Sequence, residues 1–169
     1  AATIAEDIAL VEAVRSAVGD AMDIMVDANQ AGKGPGSNAP GVHWDLARAQ
    51  ATARALGELG LAYLEEPLPY VLEEDGRRLR ETSPVPIAGG AGKRGIRAFG
   101  ELLQKGIYDI IQPDPIVGGT PTDMLKIRAM AEGLGVPVVY HHGKRGIGFM
   151  IGLHLATGVG DSPWLEYMD

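Results

Sequence analysis

Six short apolar runs recur along this chain, at 23–29, 61–65, 85–89, 107–112, 136–140 and about 164–167. Their starts lie roughly 22 to 38 residues apart, and a helical pattern fills each gap. Thr3-Ile-Ala-Glu6 reads as a capping box, followed by Ile4, Ile8, Val11, Val14 and Val18 on one stripe and by Gly19 as a stop. A second helix is expected from Asp45, an N-cap residue, to Gly60. Others are expected near 72–82, 95–105, 121–134 and 147–157, with Thr120-Pro121 as a helix start. Strand and helix alternating in this way predict an α/β fold on a parallel sheet.

Two architectures satisfy that alternation, an open doubly wound sheet and a closed (β/α)8 barrel. No G-x-G-x-x-G follows the first run, so a dinucleotide fold has no direct support. Polar residues instead gather where the strands should end. Asp27 and Asn29 close the first run, Glu65 and Glu66 the second, Gln112 and Asp114 the fourth, His141 and His142 the fifth, and Glu166 the sixth. Reactive groups at successive strand C-termini are what a barrel of TIM type places in its site, so the barrel is the expected fold. A complete barrel needs about 250 residues and eight strands. This chain has 169 residues and six candidate strands.

Composition removes several classes. Hydrophobic residues at 46% and charged residues at 22% suit a globular core rather than disorder. The chain has no cysteine, which excludes disulfides, thiolate metal sites and a Cys nucleophile. A net charge of −7 argues against nucleic acid as a partner, and no apolar run is long enough for a membrane span. Cytoplasm is the default location. The 24 glycines and 11 prolines fit many tight strand–helix connections.

Taken in order, the motifs are Val-Asp27-Ala-Asn29-Gln, Leu-Glu65-Glu66-Pro67, Pro-Ile-Ala-Gly89-Gly90-Ala91, Ile-Gln112-Pro-Asp114, Tyr-His141-His142-Gly and Trp164-Leu-Glu166-Tyr. In these the chain resembles the enolase superfamily, in its mandelate racemase/muconate lactonizing branch. The resemblance covers nearly all 169 residues. It implies strands three to eight of a modified (β/α)8 barrel. The N-terminal capping domain and first two βα units would be absent from this chain. A homo-oligomer or a complementing chain would then supply the missing strands.

The resemblance also implies a chemistry. A divalent metal, usually Mg2+, holds a substrate carboxylate while a base removes the adjacent α-proton, and charge stabilisation makes that step feasible. By position, Asp27 and Glu65 match metal ligands, and Asn29 a metal-proximal or substrate-contacting group. His141 matches the catalytic histidine and Asp114 its partner, a carboxylate that orients the imidazole and raises its basicity. Glu166 matches a residue that, when protonated, hydrogen-bonds the substrate carboxylate. His142 is expected to point away, and Glu66 to be structural. The small carboxylate substrate would be a hydroxy acid or acid sugar, and the reaction a dehydration or a racemisation or epimerisation.

One position departs from the pattern. The third metal ligand should follow Gly-Gly directly, and this chain has Ala91 there. Three outcomes are open: Asp27 and Glu65 hold Mg2+ with waters, Lys93 supplies the positive charge, or the site is empty. The last belongs to an alternative reading, an inactive relative that binds an anionic ligand or has an assembly role. Basic loops follow three strand ends, at Gly32-Lys33-Gly34, Gly92-Lys93-Arg94 and Gly143-Lys144-Arg145, and suit an anionic ligand. Lys93 and Lys144 are the best candidates for contacting it. Met124, Leu125, Ile127, Met130 and Leu134 are expected in the core, and the Glu73–Arg80 charges on a solvated helix face.

Overall fold

The computed structural model describes residues 3–142, 146–159 and 162–167. Thr3 caps helix α1 (Ile4–Val18), and Thr3 and Glu6 each bond the other's backbone N–H as the capping box requires. A 3-10 turn, Gly19–Ala21, leads to strand β1 (Met25–Asp27). Helix α2 (Leu46–Gly57) starts at Asp45, whose side chain accepts from the Arg48 N–H. Strand β2 (Tyr63–Glu65), helix α3 (Glu73–Thr82), strand β3 (Ile87–Gly89) and helix α4 (Gly95–Lys105) follow. Strand β4 (Ile110–Ile111), helix α5 (Pro121–Gly133) and helix α6 (Ile147–Gly158) complete the series. Each strand neighbours the next in the chain, and a helix joins each parallel pair.

The chain divides into two units, Ala1–Ala88 and Gly89–Asp169. In the first, β1 and β2 run parallel with Asp27 opposite Glu65, and β2 pairs with β3 through Leu64–Ile87 and Glu65–Ala88. Helix α1 packs on α2 and α2 on α3. Ala49, Ala53, Leu56, Leu64 and Leu79 are fully buried between these layers. Arg15 fastens the base of this unit. Its guanidinium donates to the carbonyls of Leu59, Gly60, Gly19 and Met22, at 3.0, 2.9, 2.7 and 3.1 Å.

In the second unit the Gln112 N–H donates to the Gly89 carbonyl, and Ile111 makes a parallel bridge to Val138. Phe99, Met124, Ile127, Ala131 and Tyr140 form its core, with α4 against α5 and α5 against α6.

Several sequence expectations are corrected here. The run at 136–140 contributes a single bridge rather than a strand; Pro137 has no N–H to give and only its carbonyl accepts, from Ile111. Residues 164–167 are not in a strand. Leu125 and Leu134 are exposed rather than core, while Met124 and Ile127 are buried and Met130 half-buried. On the α1 stripe Val11 is buried and Ile4, Ile8 and Val18 are half-buried, while Val14 stays exposed. The α3 charges are solvated, with Glu74 bridging to Arg77 and Arg78.

Candidate functional site

In the first unit the polar residues sit where β1 and β2 stop. Asp27 and Glu65 are partners in the parallel register, so their side chains leave the sheet on one side, about 4.8 Å apart at the backbone. The ladder runs on past both, with the Ala28 N–H donating to the Glu65 carbonyl at 2.9 Å and the Gln30 N–H to the Glu66 carbonyl at 3.0 Å. Asn29 and Glu66 then turn into the left-handed region, at φ of 51° and 43°. That conformation costs an L-residue about 1–2 kcal/mol, and Asn bears it better than Glu.

Asn29 lies outside β1, so alternation along a strand does not set its direction relative to Asp27. Instead its N–H donates to Asp27 Oδ1 at 2.8 Å. Glu66 accepts the hydroxyl proton of Tyr70, which fits its expected structural part.

Two carboxylates side by side offer hard oxygens, the chemistry that suits Mg2+, an ion that commonly keeps several waters. Among the described residues no three His, Asp or Glu side chains converge as a metal cage. A cation between Asp27 and Glu65 would therefore take its remaining ligands from water.

In the second unit, Gly89 ends β3 and Gly90 follows it. A Cβ at Gly89 would lie 2.7 Å from the Tyr108 ring, and Gly90 has φ 107°. Ala91 follows and brings no donor. Lys93 is half-buried, with its N–H bonded to the Gly90 carbonyl. Lys144 lies outside the described residues.

Asp114 stands in the turn after β4. Its Oδ1 accepts from the N–H groups of Ile116 and Val117, at 2.6 and 2.8 Å, and its Oδ2 lies 2.8 Å from His141 Nδ1. Burial pushes this carboxyl up, but the Val117 N–H, His141 and the Ile116 N–H together outweigh it and hold it below the ordinary aspartate value. An ionised Asp114 assigns the Nδ1 proton to His141, which leaves Nε2 as the basic nitrogen of the neutral ring.

Glu166 faces that nitrogen, with Oε2 3.9 Å from Nε2, while the His142 N–H donates to the same oxygen at 2.5 Å. Asp114 is 7% exposed, His141 24% and Glu166 42%, so the exposure increases toward Nε2. The His142 ring is buried against Phe149, with centroids 5.2 Å apart, and takes no part in this line.

Two features escaped the sequence reading. Gln30 is buried and clamps the loop after β1, donating to the Ala28 carbonyl and accepting from the Trp44 N–H at 2.8 and 2.9 Å. A glutamine beside a glycine-rich loop carries no signal of that role. The His142 backbone as the anchor of Glu166 was equally invisible, because any residue provides an N–H.

Residues 1–169 match the family described as Enolase C-terminal domain-like. The chain is 32% identical to the arabinonate dehydratase of Saccharolobus solfataricus over 98% of its own length and 41% of that protein. It is also 32% identical to the L-talarate/galactarate dehydratase of Salmonella typhimurium, covering 98% of this chain and 37% of the relative. Among solved structures, L-talarate dehydratase from Polaromonas sp. JS666, complexed with Mg and L-glucarate, superposes with a TM-score of 0.83 at 32% identity. That match spans 99% of this chain and 42% of the other. The chain thus spans about two fifths of the length of the relatives it matches. No helix among the described residues is long and apolar enough to cross a membrane.

Proposed function

Because the chain belongs to the enolase C-terminal domain-like family, we propose that it serves a lyase or isomerase whose reaction begins by removing the proton α to a carboxylate. The substrate is a hydroxy acid or acid sugar, in keeping with the dehydratases among its relatives. The observation that carries this reading is the His141–Asp114 pair, with Nδ1 committed to an ionised carboxylate and Nε2 left basic.

In this mechanism His141 Nε2 accepts the α-proton, and the C–H electron pair moves into the substrate's carboxyl system. Asp114 stabilises the imidazolium that results. Dehydration follows when the β-hydroxyl departs and the imidazolium returns its proton to make water. Racemisation or epimerisation needs a second acid on the opposite face instead. Asp27 and Glu65 would hold Mg2+, which supplies positive charge where negative charge develops on the substrate carboxylate. Asn29, Lys93 and Lys144 are assigned to substrate binding, and Glu166 to the substrate carboxylate when protonated.

Ala91 supports a second reading, a relative that binds anions without turnover. One experiment separates them. In deuterium oxide, the wild-type protein with Mg2+ and an acid-sugar substrate should exchange the α-hydrogen, and His141→Asn should abolish the exchange. Exchange retained by the variant removes His141 as the base. No exchange in the wild type across aldonates and aldarates favours the binding-only reading.

A further inference from the structure

Helix α6 holds no group that the proposed chemistry uses, yet the segments carrying both carboxylates beside His141 rest on it. A Cβ on Gly148 would stand 2.9 Å from Ile116 Cγ1, and a Cβ on Gly152 would stand 4.0 Å from Pro115 Cγ. With hydrogen alone at both positions, the turn that carries Asp114 lies directly on the helix. The segment that carries Glu166 reaches α6 as well. Leu165 Cδ1 lies 3.7 Å from where the Gly152 Cβ would stand, and the Tyr167 ring meets the Phe149 ring edge-on, with centroids 5.5 Å apart. Phe149 in turn is tilted against the His142 ring at 5.2 Å.

Glu166 therefore has both of its chain neighbours on α6, while its own Oε2 accepts from the His142 N–H at 2.5 Å. Residues 164–167 are not in a strand, so strand register does not set the direction of this carboxylate. Its side chain is 42% exposed, and a long exposed side chain loses rotamer freedom when it is held in one place. Fixing the residues on either side removes part of that cost beforehand. Tyr167 is suited to do so. It is 70% exposed, so core burial does not account for its place, whereas an edge-on contact between rings has a preferred geometry and resists sliding. Phe149 is half-buried on the helix and supplies the fixed partner.

We propose that Tyr167, edge-on against Phe149, is a positioning residue for Glu166, holding the chain so that the carboxylate stays on the His142 N–H beside His141 before any substrate arrives. The inference rests on the assignment of Glu166 to the site and adds how an exposed carboxylate is kept there. The ring, rather than the hydroxyl, makes the contact with Phe149, so phenylalanine should serve at this position and alanine should not.

Deuterium exchange of the His142 backbone N–H, followed by NMR on the 15N-labelled full chain without substrate, reads the bond directly. Glu166→Ala should speed that exchange about tenfold, the weight of one hydrogen bond to a charged group. Tyr167→Ala should reproduce most of the acceleration with the denaturant midpoint unchanged, because the residue is exposed. Tyr167→Phe should stay within twofold of wild type. Adding Tyr167→Ala to Glu166→Ala should cause no further change, since the tyrosine acts only through the glutamate. The inference is overturned by an unchanged His142 N–H in Glu166→Ala or in Tyr167→Ala, by failure of phenylalanine to restore it, or by an added effect in the double variant. Exchange of the substrate α-hydrogen, measured on the same variants, keeps the two readings apart. Tyr167→Ala should fall to the level of Glu166→Ala, and full α-exchange in the first beside a loss in the second also overturns the inference. Absence of α-exchange in the wild type counts against the proposed reaction alone, because the His142 N–H still decides whether Tyr167 positions Glu166.

Discussion

His141 meets Asp114 through Nδ1 and Glu166 through Nε2, and the two contacts differ in strength. At 2.8 Å the first is a hydrogen bond to a buried carboxylate, while at 3.9 Å the second lies beyond hydrogen-bond reach of an exposed one. Asp114 is consequently the group that fixes the tautomer. Asp114→Asn keeps the shape but no longer favours a proton on Nδ1, so α-hydrogen exchange should fall by about 10²–10⁴-fold. Exchange within twofold of wild type would show that Asp114 does not act through His141. The same carboxyl carries a pH signature. Its folded value is depressed, so its contribution to stability is complete above the unfolded aspartate value of about 3.9 and is lost as pH falls through the lower folded value. A carbon-detected NMR titration of Asp114 should give a midpoint below 3.9, and a midpoint at or above it would contradict the geometry. This pair was legible in the sequence because both residues follow on apolar runs, although only the run before Asp114 forms a strand, β4, and Asp114 lies in the turn after it. Gln30 and the His142 N–H were not, since their roles come from loop closure and from backbone that every residue shares.

At the scale of elements, the position of each group depends on how strands end. Gly89 ends β3 with the Tyr108 ring against its α-carbon, 2.7 and 2.8 Å from where a Cβ would stand. Tyr108 is itself buried, so it cannot swing out of the way. Gly89→Ala should therefore destabilise the chain by about 1–3 kcal/mol, read as a lower denaturant midpoint. Adding Tyr108→Leu should recover part of that loss, because the ring is the obstacle. A double variant showing no coupling would point to another cause. The glycine was visible in the sequence, but its reason was not, since the obstructing ring arrives from a residue on the next connection. Helix α5 makes the same point about periodicity. Spacing placed Met124, Leu125, Ile127, Met130 and Leu134 on one broad stripe, and packing against α4 and α6 covers Met124 and Ile127 but leaves Leu125 and Leu134 exposed. A stripe shows which side is apolar, whereas its neighbours decide how much of it is covered. Trp164-Leu-Glu166 likewise had strand-like composition, yet it is not in a strand.

For the whole molecule, charge complicates any claim about a metal. The chain carries 22 acidic against 15 basic residues, so a divalent cation is drawn to it without any specific site. Salt near 0.15 M limits that general attraction to about 8 Å, whereas bonds to ligand oxygens are not screened in the same way. The proposed assignment of Asp27 and Glu65 as ligands, with position 91 as the missing third, can be separated from general attraction by adding one carboxylate in two places. Ala91→Glu should tighten Mg2+ binding about tenfold, since a further charged ligand is what tunes such sites. Ala9→Glu adds the same charge on the exposed face of α1 and should leave the affinity unchanged. Calorimetric titration of both variants in 0.15 M salt makes the comparison. If Ala91→Glu binds Mg2+ no better than Ala9→Glu, the idea of a site weakened by loss of one ligand is wrong. Any Mg2+ requirement would then have to be met by Asp27, Glu65 and water alone.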